Sequence, residues 1–238
     1  MGSDKTAARV GGVLYIIATV AIIASFPFIG AFESADFMTE LASNETQVVV
    51  GMLVQLAWVF AVMFIPVVFF RFLKLYSETW ALGFFSLRFS EAVMSLLYVA
   101  IHFTLLGLSI TFVDGGAADA PAYQASGALL LEARDWAFAL GAGLAFNLSA
   151  LLLNYVLYRS RLVPRWLSIW GLIGAALWMA AWFPQAFGVE LGVLEMVFLP
   201  IAVQEMVFGV YLIVRGFDPE IIADLAAATD QPRSRRVP

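Results

Sequence analysis

The chain has no cysteine among its 238 residues. That absence excludes a disulfide framework, a thiolate metal site and a cysteine nucleophile together. Charge is scarce as well: Asp, Glu, Lys and Arg make up 13% of the chain, against about 25% in ordinary soluble domains. The one histidine, His102, stands outside any HExxH, paired-histidine or other tight ligand spacing, so neither a metal nor a cofactor is expected. A diphosphate-binding DDxxD run and a nucleophile elbow are missing too. With a formal net charge of −5 and a pI near 4.8, nucleic acid is not expected as a partner.

What the sequence has instead is apolar length. Hydrophobic residues make up 62% of it, and the mean hydropathy is +0.90. A soluble fold of this size cannot hide so much apolar surface, so the expected partner is the lipid bilayer. Six stretches, near 8–30, 47–72, 79–113, 127–158, 165–184 and 193–215, each supply the roughly 20 helical residues that a hydrocarbon core requires. The runs are continuously apolar instead of alternating, which argues against a β-barrel. The third and fourth exceed a bilayer's need and should tilt or protrude. Pro27, Pro66 and Pro200 fall inside or near the ends of spans, where membrane helices tolerate kinks. The expected fold is all-α, with six transmembrane helices in a single domain over 1–217.

Basic residues set the expected orientation. Lys5 and Arg9 precede the first span, Arg71 and Lys74 follow the second, and Arg159, Arg161 and Arg165 follow the fourth. Arg215, Arg233, Arg235 and Arg236 follow the sixth. The alternate loops hold only acids: Glu33, Asp36, Glu40, Glu45, Asp114, Asp119 and Glu190. Both termini should therefore be cytoplasmic, in the inner membrane of a prokaryote. The length of span one and the charge pattern of the later loops favour an uncleaved helix over a signal peptide. Trp80, Trp166, Trp170 and Trp182 suit interfacial belts. In the tail, 218–238, Asp218 and Pro219 start a short helix. Beyond it, 226–238 reads as a disordered end whose arginines meet anionic headgroups.

Seven ionisable residues remain within the spans: Arg88, Glu91, Glu132, Arg134, Asp135, Glu195 and Glu205. Each costs at least ~2.5–3.5 kcal/mol at a bilayer centre unless it turns inward or pairs. At about 1.5 Å per residue, Arg88, Glu91, Asn147, Gln204 and Glu205 reach one level, roughly 12–17 Å in from the cytoplasmic side. On span three, Arg88, Glu91, Ser95, Tyr98 and His102 follow steps of three and four and so share a face. On span four, Trp136, Gly143, Asn147 and Asn154 form a similar stripe. Arg88, Glu91, Asn147, Gln204 and Glu205 are thus the candidate ligand or proton site, with Ser95, Tyr98 and Asn154 as its lining. Two acids against one arginine leave one carboxyl, on Glu91 or Glu205, as the candidate proton holder. Buried ion pairs also fix helix register and packing, and that reading stands beside the functional one.

A second polar layer, His102, Glu132, Arg134, Asp135 and Glu195, falls at or beyond the outer boundary. Charge is cheaper there and the functional inference weaker. His102 beside three carboxylates could relay protons or hold a metal, for which no tight ligand spacing speaks, or simply be a hydrogen-bonded residue near the interface.

Several segments carry a resemblance. Ala8-Arg9-Val10-Gly11-Gly12-Val13-Leu14-Tyr15 opens the chain, and Arg88-Phe-Ser-Glu91-Ala92 lies on span three. Asn147 leads through Leu157-Tyr158-Arg159-Ser160 to Leu162-Val163-Pro164-Arg165-Trp166-Leu167. Pro200, Glu205, Tyr211-Leu212 and Arg215-Gly216-Phe217 complete the order. The chain resembles, over nearly its whole length, the prokaryotic membrane-protein family catalogued as domain of unknown function 4386. The resemblance implies a compact helical membrane domain without an assigned reaction. Members often carry a histidine in span four near where this chain has Arg134-Asp135-Trp136, so no role built on such a histidine transfers.

Three functions fit these residues. The first is a small-molecule or proton-coupled binding or transport protein, in which Arg88 holds an anionic group and the carboxylates bind protons or cations. No inverted repeat is evident, although a homo-oligomer could supply symmetry. The second is an intramembrane enzyme acting on a lipid or isoprenoid, with Glu91 or Glu205 as general acid. The third is a non-catalytic assembly subunit.

Overall fold

A computed structural model of the chain describes residues 2–116, 119–189 and 196–230. Among the described residues there is no strand. Helix α1 covers Gly2–Ile29 and ends in a 3-10 turn, Gly30–Glu33; a short α2, Phe37–Ser43, follows. Then come α3, Glu45–Tyr76, α4, Glu78–Asp114, and α5, Ala120–Phe138. A π-helical turn, Ala139–Ala145, joins α5 directly to α6, Phe146–Ser160. The chain ends with α7, Arg165–Ala186, α8, Leu199–Val214, and α9, Pro219–Asp230.

Six helical segments are long and apolar enough to cross a membrane: α1, α3, α4, the continuous α5–α6 rod, α7 and α8. The large side chains they leave bare, such as Ile23, Leu53, Phe64 and Ile173, are apolar. Each span packs on the next, α1 on α3, α3 on α4, α4 on the α5–α6 rod, α6 on α7 and α7 on α8. Helix α8 returns to α1 and closes the ring. The start of α1 therefore lies beside the end of α8, where Arg9 Nε donates to the Ile213 carbonyl at 3.1 Å. We call this the terminal side and the other the far side.

Lipid is as apolar as leucine, so helices in a bilayer associate through close packing and polar contacts. Glycines supply the closeness here. A Cβ on Gly12 would stand 2.5 Å from the Gly209 carbonyl oxygen, so α1 and α8 touch backbone to backbone on the terminal side. Gly174 admits the backbone of Ile201 in the same way, joining α7 to α8. Below this level Tyr15, Phe69 and Phe208 interlock, with ring centroids 5.3–5.9 Å apart.

Four elements differ from the expectation. The loop after span one is not merely polar: the 3-10 turn and α2 bury Phe32, Phe37, Met38 and Leu41 and cap the far end of the bundle. The fourth span is not one uniform helix but contains the π turn. A π turn holds an extra residue, so the faces before and after it are out of phase by about 100°. This explains why Trp136, expected on the inward stripe with Gly143, Asn147 and Asn154, is instead 44% exposed while the other three are buried. The sixth span is not α-helical from its first described residue: a 3-10 turn at 196–198 leads into the α-helix at Leu199, with Pro200 in its first turn, where proline needs no amide partner. Residues 193–195 of the expected span lie outside the described residues.

The tail helix reaches Asp230, past the expected end near Ala226. Asp218 Oδ1 accepts the amides of Glu220 and Ile221 at its start. Ile221, Ile222 and Leu225 pack on the terminal-side core. Arg233, Arg235 and Arg236 lie outside the described residues.

Candidate functional site

Arg88 lies about three turns into α4 with 2% of its surface exposed, among the largest fully buried side chains. Its Nη1 donates to both carboxylate oxygens of Glu91, at 2.9 and 3.2 Å, one helical turn on. Its Nη2 donates to Glu205 Oε1 of α8 at 2.6 Å and to the Tyr15 hydroxyl of α1 at 3.2 Å. The guanidinium is flanked by two rings: its central carbon lies 4.9 Å from the Phe146 centroid and 5.4 Å from that of Tyr15. Arg88 thus ties α1, α4 and α8 together from one point. Nε finds no partner among the described residues. Glu205 keeps its Oε2 unbonded among them, and its side chain is 14% exposed.

The exposure of Glu205 is toward a cavity of about 580 Å³. Arg88, Glu91 and Glu205 line its floor, with Tyr15. The walls are apolar and largely aromatic: Trp58, Phe138, Phe146, Trp178 and Phe198 contribute. From α1 the cavity takes Tyr15 to Phe26, all beyond Gly12; from α8 it takes Leu199 to Glu205, all before Gly209. The two helices pinch at the Gly12–Gly209 contact and part toward the far side. The cavity mouth is this gap, rimmed by Ile23, Phe26, Phe198 and Leu199, each at least 39% exposed.

The π turn shapes the opposite wall. Gly141 lets the fourth span rest on α4 beside Glu91, where a Cβ would come within 3.3 Å of the Glu91 carbonyl oxygen. Trp182 fills the space over Gly143 and donates its indole N–H to the Ala139 carbonyl at 2.9 Å. Trp182 therefore braces the π turn from α7.

The predicted site residues separate into two groups. Arg88, Glu91 and Glu205 meet. Gln204 faces away from them: its Nε2 donates to Asn154 Oδ1 at 3.4 Å and to the Leu167 carbonyl at 3.2 Å, joining α8 to α6 and α7. Neighbours on a helix point about 100° apart, so Glu205 and Gln204 could not share a pocket by depth alone. Asn147 donates to the Gly143 carbonyl of its own span at 2.8 Å, and its Oδ1 has no partner among the described residues. Asn154 packs its amide on Gly171 of α7. Ser95, Tyr98 and Asn154 do not line the cavity. Ser95 is buried, with its hydroxyl unpartnered among the described residues. Tyr98 lies one turn too far out.

The second polar layer is also rearranged. His102 is fully buried, because the 3-10 turn covers it: its ring stacks on Phe32 at 4.1 Å and meets Tyr98 at 4.4 Å. Its Nδ1 donates to Gln55 Oε1 of α3 at 3.0 Å, and no described carboxylate bonds it. Arg134 is 6% exposed and pairs with Glu33 Oε1 at 3.0 Å and with Asp135 at 2.7 Å. Glu132 accepts the indole N–H of Trp136 at 2.9 Å. A pocket of about 400 Å³ lies among Glu33, Tyr98, Arg134 and Asp135, with Phe26 and Phe138 in the wall it shares with the main cavity. Glu195 lies outside the described residues. Among those residues, no group of three His, Asp or Glu side chains is placed to hold a metal.

Sequence reasoning missed Tyr15, Gln55 and Glu33. Tyr15 had a usable signal, since its phenol sits at the depth of Arg88 on a glycine-lined face. Gln55 was an uncharged polar residue in the middle of an apolar span.

A ring of six apolar helices around a buried Arg–Glu–Glu cluster defines a polytopic helical membrane-type bundle. Residues 10–216 match the family model described as Domain of unknown function (DUF4386), and the chain belongs to that family. No curated protein matches the chain, and no solved structure does.

Proposed function

We propose that this protein sits in the cytoplasmic membrane of a prokaryote, with both termini inside, and binds or transports a small amphiphilic molecule in the cavity above Arg88. The orientation rests on the basic residues of the terminal side and the acidic loops of the far side. The binding role rests on one observation: the buried charges of α4 and α8, joined by the Tyr15 hydroxyl of α1, form the floor of a 580 Å³ chamber with an apolar mouth. Its volume lies within the roughly 300–1,000 Å³ of small-molecule sites. A cluster that only fixed packing would need no chamber. Arg88 already serves two carboxylates and a phenol, so the expected role of holding an anionic group passes from it, and the carboxylates become the ligand-facing groups.

The test is solute binding or flux in liposomes with Glu91→Gln and Glu205→Gln. Loss of binding with folding intact supports the reading. Unchanged binding, or loss of folding as the sole effect, contradicts it.

The same mouth favours a second reading, an intramembrane enzyme for a lipid or isoprenoid. The unbonded Oε2 of Glu205 is the general acid in that case. Product formation by purified protein separates the two.

A further inference from the structure

Resting on the cavity reading above, we infer that the ligand is a lipophilic organic cation, one that exchanges with a proton at Glu205. Among the described residues, the ionisable side chains that face the chamber are few. Tyr15 comes from α1, Arg88 and Glu91 from α4, and Glu205 from α8. The remaining described elements contribute only uncharged side chains, Trp58, Val62 and Ile65 from α3, Phe138 and Ala142 from the fourth span and Trp178 from α7 among them. One guanidinium and two carboxylates leave a formal charge of −1 when both acids are ionised.

An unpaired charge in an apolar interior is costly, so the surplus is settled by one positive charge, a proton or a ligand. Glu205 is the acid placed to take it. Glu91 has both oxygens on Arg88, whereas Glu205 offers a bare Oε2 at the chamber floor.

The walls decide the kind of cation. A desolvated metal ion takes about six or more oxygens, and here the chamber offers two carboxylates, the Tyr15 hydroxyl and the Thr19 hydroxyl. Aromatic faces replace water for large, weakly hydrated organic cations. The chamber has them in Trp58, Phe138, Trp178 and Phe198, and Arg88 already uses Tyr15 and Phe146 in this way. The mouth between α1 and α8 admits apolar solutes from the side. A hydrophobic body with a delocalised or alkylated positive charge satisfies the mouth, the walls and the floor together. An anionic lipid satisfies the first two and meets like charge at the third.

The test uses two ions of nearly equal shape and opposite charge, tetraphenylphosphonium and tetraphenylborate, with dodecanol as a neutral amphiphile. The full chain is purified in a neutral detergent, and binding is read by equilibrium dialysis and by thermal shift. The expected result is saturable binding of tetraphenylphosphonium, at least tenfold tighter than tetraphenylborate. Binding should weaken on acidification, approaching tenfold per pH unit where one proton replaces one cation. Glu205→Gln should weaken the phosphonium at least tenfold and remove the pH dependence. Glu33→Gln, on the other pocket, should change nothing.

Trp178→Ala leaves the ion cluster untouched and should still weaken the phosphonium several-fold, which covers the case of a Glu205 variant that fails to fold. Equal affinity for the two ions, tighter borate, or an unaffected Glu205→Gln overturns the cation assignment. Stabilisation by dodecanol with neither ion bound also overturns it while leaving the cavity reading standing. Absence of binding by all three probes removes both.

Discussion

The Arg88 guanidinium and the Glu205 carboxylate meet at 2.6 Å although 117 residues separate them in sequence. This contact joins the third span to the last and, through Tyr15, to the first. Arg88 is 2% exposed, so its loss strands two carboxylates in an apolar interior. Arg88→Met should therefore lower stability by about 3–5 kcal/mol, the cost of breaking a buried pair from one side. Thermal unfolding in detergent reads this. A change below about 1 kcal/mol would mean that the cluster is not holding the three helices.

The pair Arg134–Glu33 offers the contrasting case. Its N–O distance is 3.0 Å, but the Glu33 side chain is 74% exposed. Exposed partners of this kind contribute about 0–1 kcal/mol and are screened by salt. Glu33→Gln should shift the melting temperature little, and less again in high salt.

The π turn depends on Trp182. Replacing the indole with a ring that lacks the N–H, in Trp182→Phe, leaves the Ala139 carbonyl without its donor and should cost about 1 kcal/mol. A methyl at Gly143 would lie 2.7 Å from the indole, so Gly143→Ala should displace the ring and cost about 1–3 kcal/mol. Both are read by thermal unfolding. A Gly143→Ala protein as stable as the parent would show that the ring is not seated there.

The pinch between α1 and α8 should be as sensitive. A Cβ at Gly12 meets a backbone oxygen, which cannot rotate away as a side chain could. Gly12→Ala should force the helices apart and cost about 1–3 kcal/mol, whereas Gly2→Ala, with nothing within 4 Å, should be silent.

The spans were legible because an uninterrupted apolar run of this length suits little besides a bilayer, and α3, α4 and α7 fall within a few residues of their expected bounds. The inward stripe on α4 was legible for a related reason: Arg88, Glu91, Ser95, Tyr98 and His102 recur at helical spacing, and all five are buried. Depth arithmetic placed Glu205 level with Arg88 but could not choose between it and Gln204, since it carries no angular information. The π turn was hidden, because Ala139-Leu-Gly-Ala-Gly reads equally as α-helix. Its phase shift undid the prediction for Trp136. The burial of His102 was hidden because it depends on the loop after α1 folding back over α4. The cavity itself was illegible, since it follows from where α1 and α8 diverge.

The most direct measurement concerns the chamber's opening. A chain without cysteine can be spin-labelled at a single introduced site. Ala202→Cys places the label on the wall of the cavity near its mouth, and Ala175→Cys, fully buried, serves as the packed reference. Power-saturation EPR in lipid nanodiscs then compares collision with oxygen, which concentrates in lipid, and with a water-soluble nickel chelate. A mouth open to lipid gives high oxygen and low nickel accessibility at position 202. Low accessibility to both, as at position 175, or high accessibility to nickel would refute a lipid-facing chamber.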